Sequence, residues 1–249
     1  MTLVTFLKHL KKRIVITFKL WFSRKYILYF FPRTYSQAGE DIILSYLFNE
    51  LQIANPTYLD IGANYPIAFN NTYFLYQKGC RGVCVEADPT LIPELKKYRK
   101  KDRILNVGVG VTNEKELDFY IYDAKGLNTF SKEEVEQRSK FGTYQVQKVI
   151  KIPSVTINDI ISQNFSVPPN FLSIDVEGLD LDILKSMDFN KYRPDVICVE
   201  TITYDEGRGA KKIKNIVDFV CSQGYIVYAD THINTIFAAE KYYPQLKNL

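Results

Sequence analysis

Three apolar runs in this chain finish on an acid: TYLDIG (57–62), GVCVEA (82–87) and FLSIDVEG (171–178). Short runs of branched and aromatic residues bounded by turn formers read as strands buried on both faces. Between them stand segments whose apolar residues recur at helical spacing, such as TLIPELKKYRKK (90–101) and LDLDILKSMD (179–188). Strand and helix alternating in this way confine the chain to an α/β fold, a mainly parallel sheet with helices on both faces. Ligands of such sheets sit beyond the carboxyl ends of the strands, near the point where the strand order reverses. Asp60 opens the turn after the first of the three strands, Glu86 ends the second and Asp175 the third. Each therefore falls where a ligand would be met.

The remaining elements follow from the same patterns. Helices are expected over 38–51, 70–78, 155–162 and 211–224, the last closing on Gly224, an ordinary residue after a helix end. RILNVGVG (103–110), ELDFYIYD (116–123) and DVICVET (195–201) read as further strands, and YIVYAD (225–230) with NTIFAAE (234–240) as a closing hairpin. Residues 131–143 are polar, half helix and half loop.

Charge divides the chain. Residues 1–33 hold eight Lys or Arg and no acid, leaving 24 basic against 28 acidic residues in the body, 34–249. A mildly acidic body argues against nucleic acid as a partner. The basic arm is too broken by charge to span a bilayer, because its uncharged stretches, such as IVITF and YILYFF, fall far short of roughly 20 residues. It does not read as a signal peptide either. Two readings stay open for it. One is an interfacial helix on an anionic leaflet, at the inner face of a membrane; the other is a helix packed on the body or on a second copy in a homodimer. The four cysteines form no CxxC pair, and Cys80, Cys84 and Cys198 lie in apolar runs as buried thiols do. A reducing, cytoplasmic location is expected.

The first turn, LDIGANYP (59–66), narrows the ligand. Gly62 and Ala63 let the backbone come close, but Asn64 and Ile67 occupy the second and third glycine positions of a dinucleotide fingerprint. The seat for a pyrophosphate is missing, which disfavours an NAD-dependent oxidoreductase. Glu86 follows Gly62 by 24 residues, at a strand end, where a carboxylate accepts both ribose hydroxyls. A nucleoside without phosphates fits this pair.

YSQAGEDIIL (35–44), LDIGANYPIAFNNTYFLYQKGCRGVCVEADP (59–89), GLNTFS (126–131), FLSIDVEGLDLDILKSMDF (171–189) and NTIF (234–237) together resemble the FkbM family of S-adenosylmethionine-dependent methyltransferases. The resemblance is collinear over about 35–240. It implies a class I methyltransferase fold, seven strands with the last antiparallel, and methyl transfer to a hydroxyl of a sugar, glycolipid or related natural product. Pro66 stands where the commonest family turn carries a glycine. Carried over, the family pattern places Asp60, Gly62, Ala63 and Asn64 on the methionine and ribose side of S-adenosyl-L-methionine, with Glu86 on the ribose hydroxyls. Ala87, Asp88, Asn106 and Val107 would border the adenine. Gln37 and Glu40 would lid the cofactor or cap a helix behind Ser36, and Asn71 and Thr72 would line the site or cap the helix that follows.

Methyl transfer to a hydroxyl needs alignment and removal of one proton. Asp175 and Glu177 are the foremost candidates, with Glu200 ending the neighbouring strand. Two versions stand: Asp175 as general base, or Asp175, Glu177 and Glu200 holding a divalent cation. His232, in the hairpin loop, is a further base candidate. Asp180 and Asp182 read as a solvated first helical turn. A nucleoside-binding module without catalysis is the non-enzymatic alternative.

Overall fold

The computed structural model describes residues 33–123, 127–141, 144–205 and 209–246. The basic arm, save Arg33, and with it both readings of that arm, lies outside the described residues. Among the described residues no helix is long and apolar enough to cross a membrane.

The chain runs α1 (Glu40–Glu50), β1 (Tyr58–Ile61), α2 (Tyr73–Gln77), β2 (Gly82–Val85), α3 (Ile92–Tyr98), β3 (Arg103–Leu105), β4 (Gly108–Gly110), β5 (Glu116–Tyr122), α4 (Lys132–Phe141) and β6 (Val146–Thr156). It continues through α5 (Ile157–Asn164), β7 (Phe171–Ile174), α6 (Asp180–Ser186), β8 (Val196–Glu200), β9 (Ile202–Asp205), β10 (Gly209–Lys212), α7 (Lys214–Ser222), β11 (Tyr225–Asp230), β12 (Asn234–Ala239) and α8 (Tyr243–Leu246).

Seven strands form one sheet in the order β11-β12-β8-β7-β1-β2-β3. β1, β2, β3, β7 and β8 are mutually parallel, and β12 runs antiparallel to both of its neighbours. The order reverses between β1 and β7, so the crevice expected of such sheets opens there. Alternation along the strands divides the core. Leu59, Ile61, Leu172, Ile174, Ile197 and Val199 face α5, α6 and α7 through Ile157, Ile160, Ile183, Leu184, Ile216 and Val220. Tyr58, Phe171, Val196 and Cys198 face the other way, against Leu44, Leu47 and Phe48 of α1 and Leu75 of α2. Cys80, Cys84 and Cys198 are buried, as expected, while Cys221 is exposed.

Four segments depart from the sequence reading; residues 131–143, expected to be half loop, hold the continuous helix α4 over Lys132–Phe141. Residues 103–110 make two strands rather than one. The Asn106 side-chain amide donates to the carbonyls of Glu86 and Ala87, at 2.9 and 3.0 Å, and turns the chain out of the main sheet. β4 then pairs with β6, and β6 with β5, in a separate three-stranded sheet. β6 itself was hidden in the sequence, because lysines and Pro153 interrupt a strand whose side chains are nearly all exposed or half-buried. Finally, Gly209–Lys212 pairs with Ile202–Asp205 as a hairpin, so α7 starts only at Lys214.

Candidate active site

Register sets the site. Ile61 lies level with Val85 on one side and Ile174 on the other, so the residues that follow, Gly62, Glu86 and Asp175, form a row along the carboxyl edge. The Gly62 and Ala63 N–H groups both donate to the Val85 carbonyl at 3.0 Å, and the Asp175 N–H to the Ile61 carbonyl at 3.0 Å. Gly62 has φ +79°, and a Cβ there would stand 1.8 Å from the Asp175 carbonyl oxygen. The glycine is thus required by the neighbouring strand end and not only by a ligand.

Above this edge lies a cleft of about 870 Å³. Its floor includes Gly62, Asn64, Glu86, Ala87, Asp88, Val107 and Asp175, and Gln37, Tyr65 and Phe69 also line it. The small sheet contributes Gly108, Val109, Phe119, Ile121 and Tyr122. Glu86 is buried and held by two backbone donors: the Asn64 N–H on Oε2 and the Asp88 N–H on Oε1, both at 2.7 Å. Burial pushes its carboxyl up to about 7, with the Asp88 charge adding to the shift. Asp88 takes the N–H and hydroxyl of Thr90 on Oδ1, and Asn128 donates to Oδ2 at 3.1 Å.

A second group gathers at the ends of β7 and β8. Asp175, Glu177 and Glu200 each bring a carboxylate oxygen within 4.8 Å of the others. Burial and the Glu177 charge hold Asp175 well above the usual carboxylate range. Burial and the Asp175 charge push Glu200 up to about 10. Glu177, at φ +54°, is raised by burial against the opposing pull of Arg138, whose Nη2 donates to Oε2 at 2.7 Å. The Thr129 hydroxyl donates to the Glu177 carbonyl at 2.7 Å, and Arg138 also donates to the Leu127 carbonyl at 2.6 Å. Asp180 is no solvated helix start. It is 5% exposed, accepts from the N–H groups of Val176 and Gly178, and burial pushes it up to about 6. Asp182 is exposed.

Several expected site residues point elsewhere. Asp60 does not line the cleft; it is buried under the sheet edge, accepting from Thr72 at 2.7 Å and Asn70 at 3.3 Å. Thr72 belongs to the same buried group, and Ala63 packs against Cys84, Ile92 and Leu95. Asn71 donates to the Ser173 hydroxyl at 3.4 Å, and Asn106 serves the strand ends described above. Gly39, not Ser36, stands before the first residue of α1. Glu40 is fully buried and fastens α1 to the closing hairpin through Thr231 (2.6 Å) and Asn234 (3.0 Å). Side-chain and backbone donors outweigh burial and hold its carboxyl below the ordinary value. His232, φ +76°, is exposed in that hairpin loop and does not line the cleft. Sequence reasoning missed Arg138, Thr129 and Asn128. The GLNTFS run marked two of them, but only the folded chain carries that loop to the carboxylates.

The sequence model of the Methyltransferase FkbM domain matches residues 60–227, more than half of the chain. No curated protein matches it by sequence. Solved structures similar to it include a TehB-like SAM-dependent methyltransferase from Corynebacterium glutamicum, at 10% identity and a TM-score of 0.41, covering 89% of this chain and 97% of that one. An O-methyltransferase from Bacillus cereus in complex with SAH is similar at 12% identity and a TM-score of 0.42, covering 81% and 80%. On the domain match, this chain belongs to the FkbM family of S-adenosylmethionine-dependent methyltransferases.

Proposed function

We propose that the cleft transfers a methyl group from S-adenosylmethionine to a hydroxyl of a saccharide, glycan or related natural product. The observation that carries this reading is the pairing of Glu86, fixed by two backbone donors, with three crowded carboxylates along one sheet edge. The residues fit the cofactor: a cleft of about 870 Å³ accepts a nucleoside with a methionine tail, and Glu86 keeps lone pairs for two ribose hydroxyls. When bound, the cofactor supplies a methyl group on a sulfonium, which is already a good leaving group. The chain then has to orient the acceptor oxygen and take its proton. Asp175 does the latter at a carboxylate oxygen. Burial and neighbouring charge raise its proton affinity, so it accepts the hydroxyl proton only from its ionised form, whose share grows as pH rises.

A divalent cation is the second reading, favoured by the same cluster. Among the described residues, Arg138 is the cation in contact with it, and Asp175 and Glu200 have no salt-bridge partner. Three carboxylates with one guanidinium retain ligand atoms for a hard cation. Labelled S-adenosylmethionine offered with neutral glycosides, nucleotide-sugars and lipid-linked saccharides tests the acceptor. Label in none of these hydroxyl compounds would sink the saccharide reading. Loss of transfer in EDTA with recovery in magnesium selects the cation version, and transfer indifferent to EDTA selects the base.

Glu86 carries a pH signature. Its carboxyl, pushed up to about 7, faces Asp88 and the more distant Asp175. Only the ionised form accepts from both hydroxyls, so affinity rises as pH climbs through that value. S-adenosylhomocysteine should bind about tenfold more tightly at pH 8 than at pH 6 by calorimetry. Glu86→Ala should weaken binding by about 1.5–3 kcal/mol at pH 8 and flatten the profile. Equal affinity at the two pH values in the unaltered chain would remove Glu86 from the ribose.

A further inference from the structure

Beneath the cleft lies a charged cluster that takes no part in proton transfer. Arg99, the residue after α3, is fully buried. Its Nε donates to Asp102 at 2.7 Å, and its Nη2 to the hydroxyls of Thr72 and Tyr58 at 2.8 and 3.2 Å. Its Nη1 donates to Asn70 Oδ1 at 3.1 Å and the Pro66 carbonyl at 3.5 Å. Three of these acceptors belong to the segment between Gly62 and α2.

Asn70 passes the contact upward. It is 2% exposed, and its Nδ2 donates to the carbonyls of Ala63 and Tyr65 at 3.0 and 3.4 Å. Those carbonyls flank Asn64, whose N–H holds Glu86. Its Oδ1 collects the N–H groups of Thr72 and Tyr73, and its own N–H donates to the Tyr35 carbonyl at 3.0 Å. An unbroken run of hydrogen bonds and peptide groups thus leads from Arg99 to Glu86.

The backbone it holds is costly at Phe69, a bulky residue, and less so at Asn64, since asparagine tolerates the left-handed region. Asn64 (φ +47°) and Phe69 (φ +54°) both lie in the left-handed region. Phe69 is 63% exposed on the cleft wall, so packing does not keep it there. Residues stay in sparsely populated conformations only where their surroundings over-determine them. Here the surroundings are Arg99 and Asn70.

We infer that Arg99 and Asn70 are positioning residues that pre-form the cofactor turn, holding the Asn64 N–H on Glu86 and Phe69 on the cleft wall before any ligand arrives. Ligand affinity, more than the proton-transfer step, then depends on two buried residues that line no part of the cleft. The inference rests on the assignment of this turn to the cofactor, given above.

The test uses the full chain, with Asn70→Ala and Arg99→Lys as variants. Arg99→Lys keeps the buried charge, but one ammonium cannot reproduce the guanidinium fork, and it serves if Asn70→Ala fails to fold. Calorimetry with S-adenosylhomocysteine should show affinity weakened by about tenfold or more, the scale on which a lost supporting shell loosens a site. Amide exchange at Asn64 should quicken by about tenfold in the same variants without ligand. A folded variant with a lower melting temperature, but with affinity within about twofold and unchanged exchange at Asn64, would overturn the inference and leave a stability network only. If the unaltered chain fails to bind S-adenosylhomocysteine, the cofactor assignment falls. Exchange at Asn64 then decides the positioning role by itself.

Discussion

Asp175→Asn is expected to lower turnover by on the order of 10²–10⁴-fold, the contribution of a placed general base. S-adenosylhomocysteine affinity should stay within a few-fold, because the substitution preserves shape along the sheet edge. The variant should also be no less stable than the parent at pH 8. The folded-state pKa of Asp175 is raised, so the unfolded chain gives up that proton at lower pH than the folded one, and stability is lost as pH rises through this window. A neutral amide removes that loss and relieves the repulsion with Glu177 and Glu200. Activity falling while the melting temperature holds or rises separates chemistry from misfolding. Turnover near the parent value in Asp175→Asn would exclude this residue both as base and as cation ligand.

Gly62→Ala should destabilise the whole domain rather than merely block a ligand. A left-handed conformation costs a residue with a Cβ roughly 1–2 kcal/mol, and overpacking adds about 1–3 kcal/mol. Here the added carbon would meet the Asp175 carbonyl oxygen at 1.8 Å, a backbone atom held in a strand-end hydrogen bond and unable to step aside cheaply. A loss of about 2–5 kcal/mol by urea denaturation is expected, with ligand binding lost alongside. Stability within about 0.5 kcal/mol of the parent would show that the ends of β1 and β7 yield more easily than their register implies.

Much of this site could be read from the chain because it hangs on strand ends. Glu86 and Asp175 each follow a short apolar run, and wherever parallel strands share a register such residues line up. Asp60 misleads for a related reason. It is the third residue of β1, and a strand sends successive side chains to opposite faces. Leu59 and Ile61 take one face, and Asp60 shares the other with Tyr58, against Arg99. Nothing in the run TYLDIG states which face will meet a ligand. His232 misleads because loop membership fixes neither depth nor direction.

The sequence by itself determined the alternation of strands and helices, the closing hairpin and the acids at the strand ends. All of these depend on local periodicity and on turn residues. Only the tertiary structure decided that β4 and β5, the partners of β6, would wall the cleft, that Arg138 would reach Glu177 across 39 positions, and that Arg99 would bear on Asn70 across 29. Such contacts depend on where the chain returns in space, and a bond between residues so far apart leaves no periodic trace in sequence. Arg99 reads as one more cation in a basic helix end until the fold closes over it.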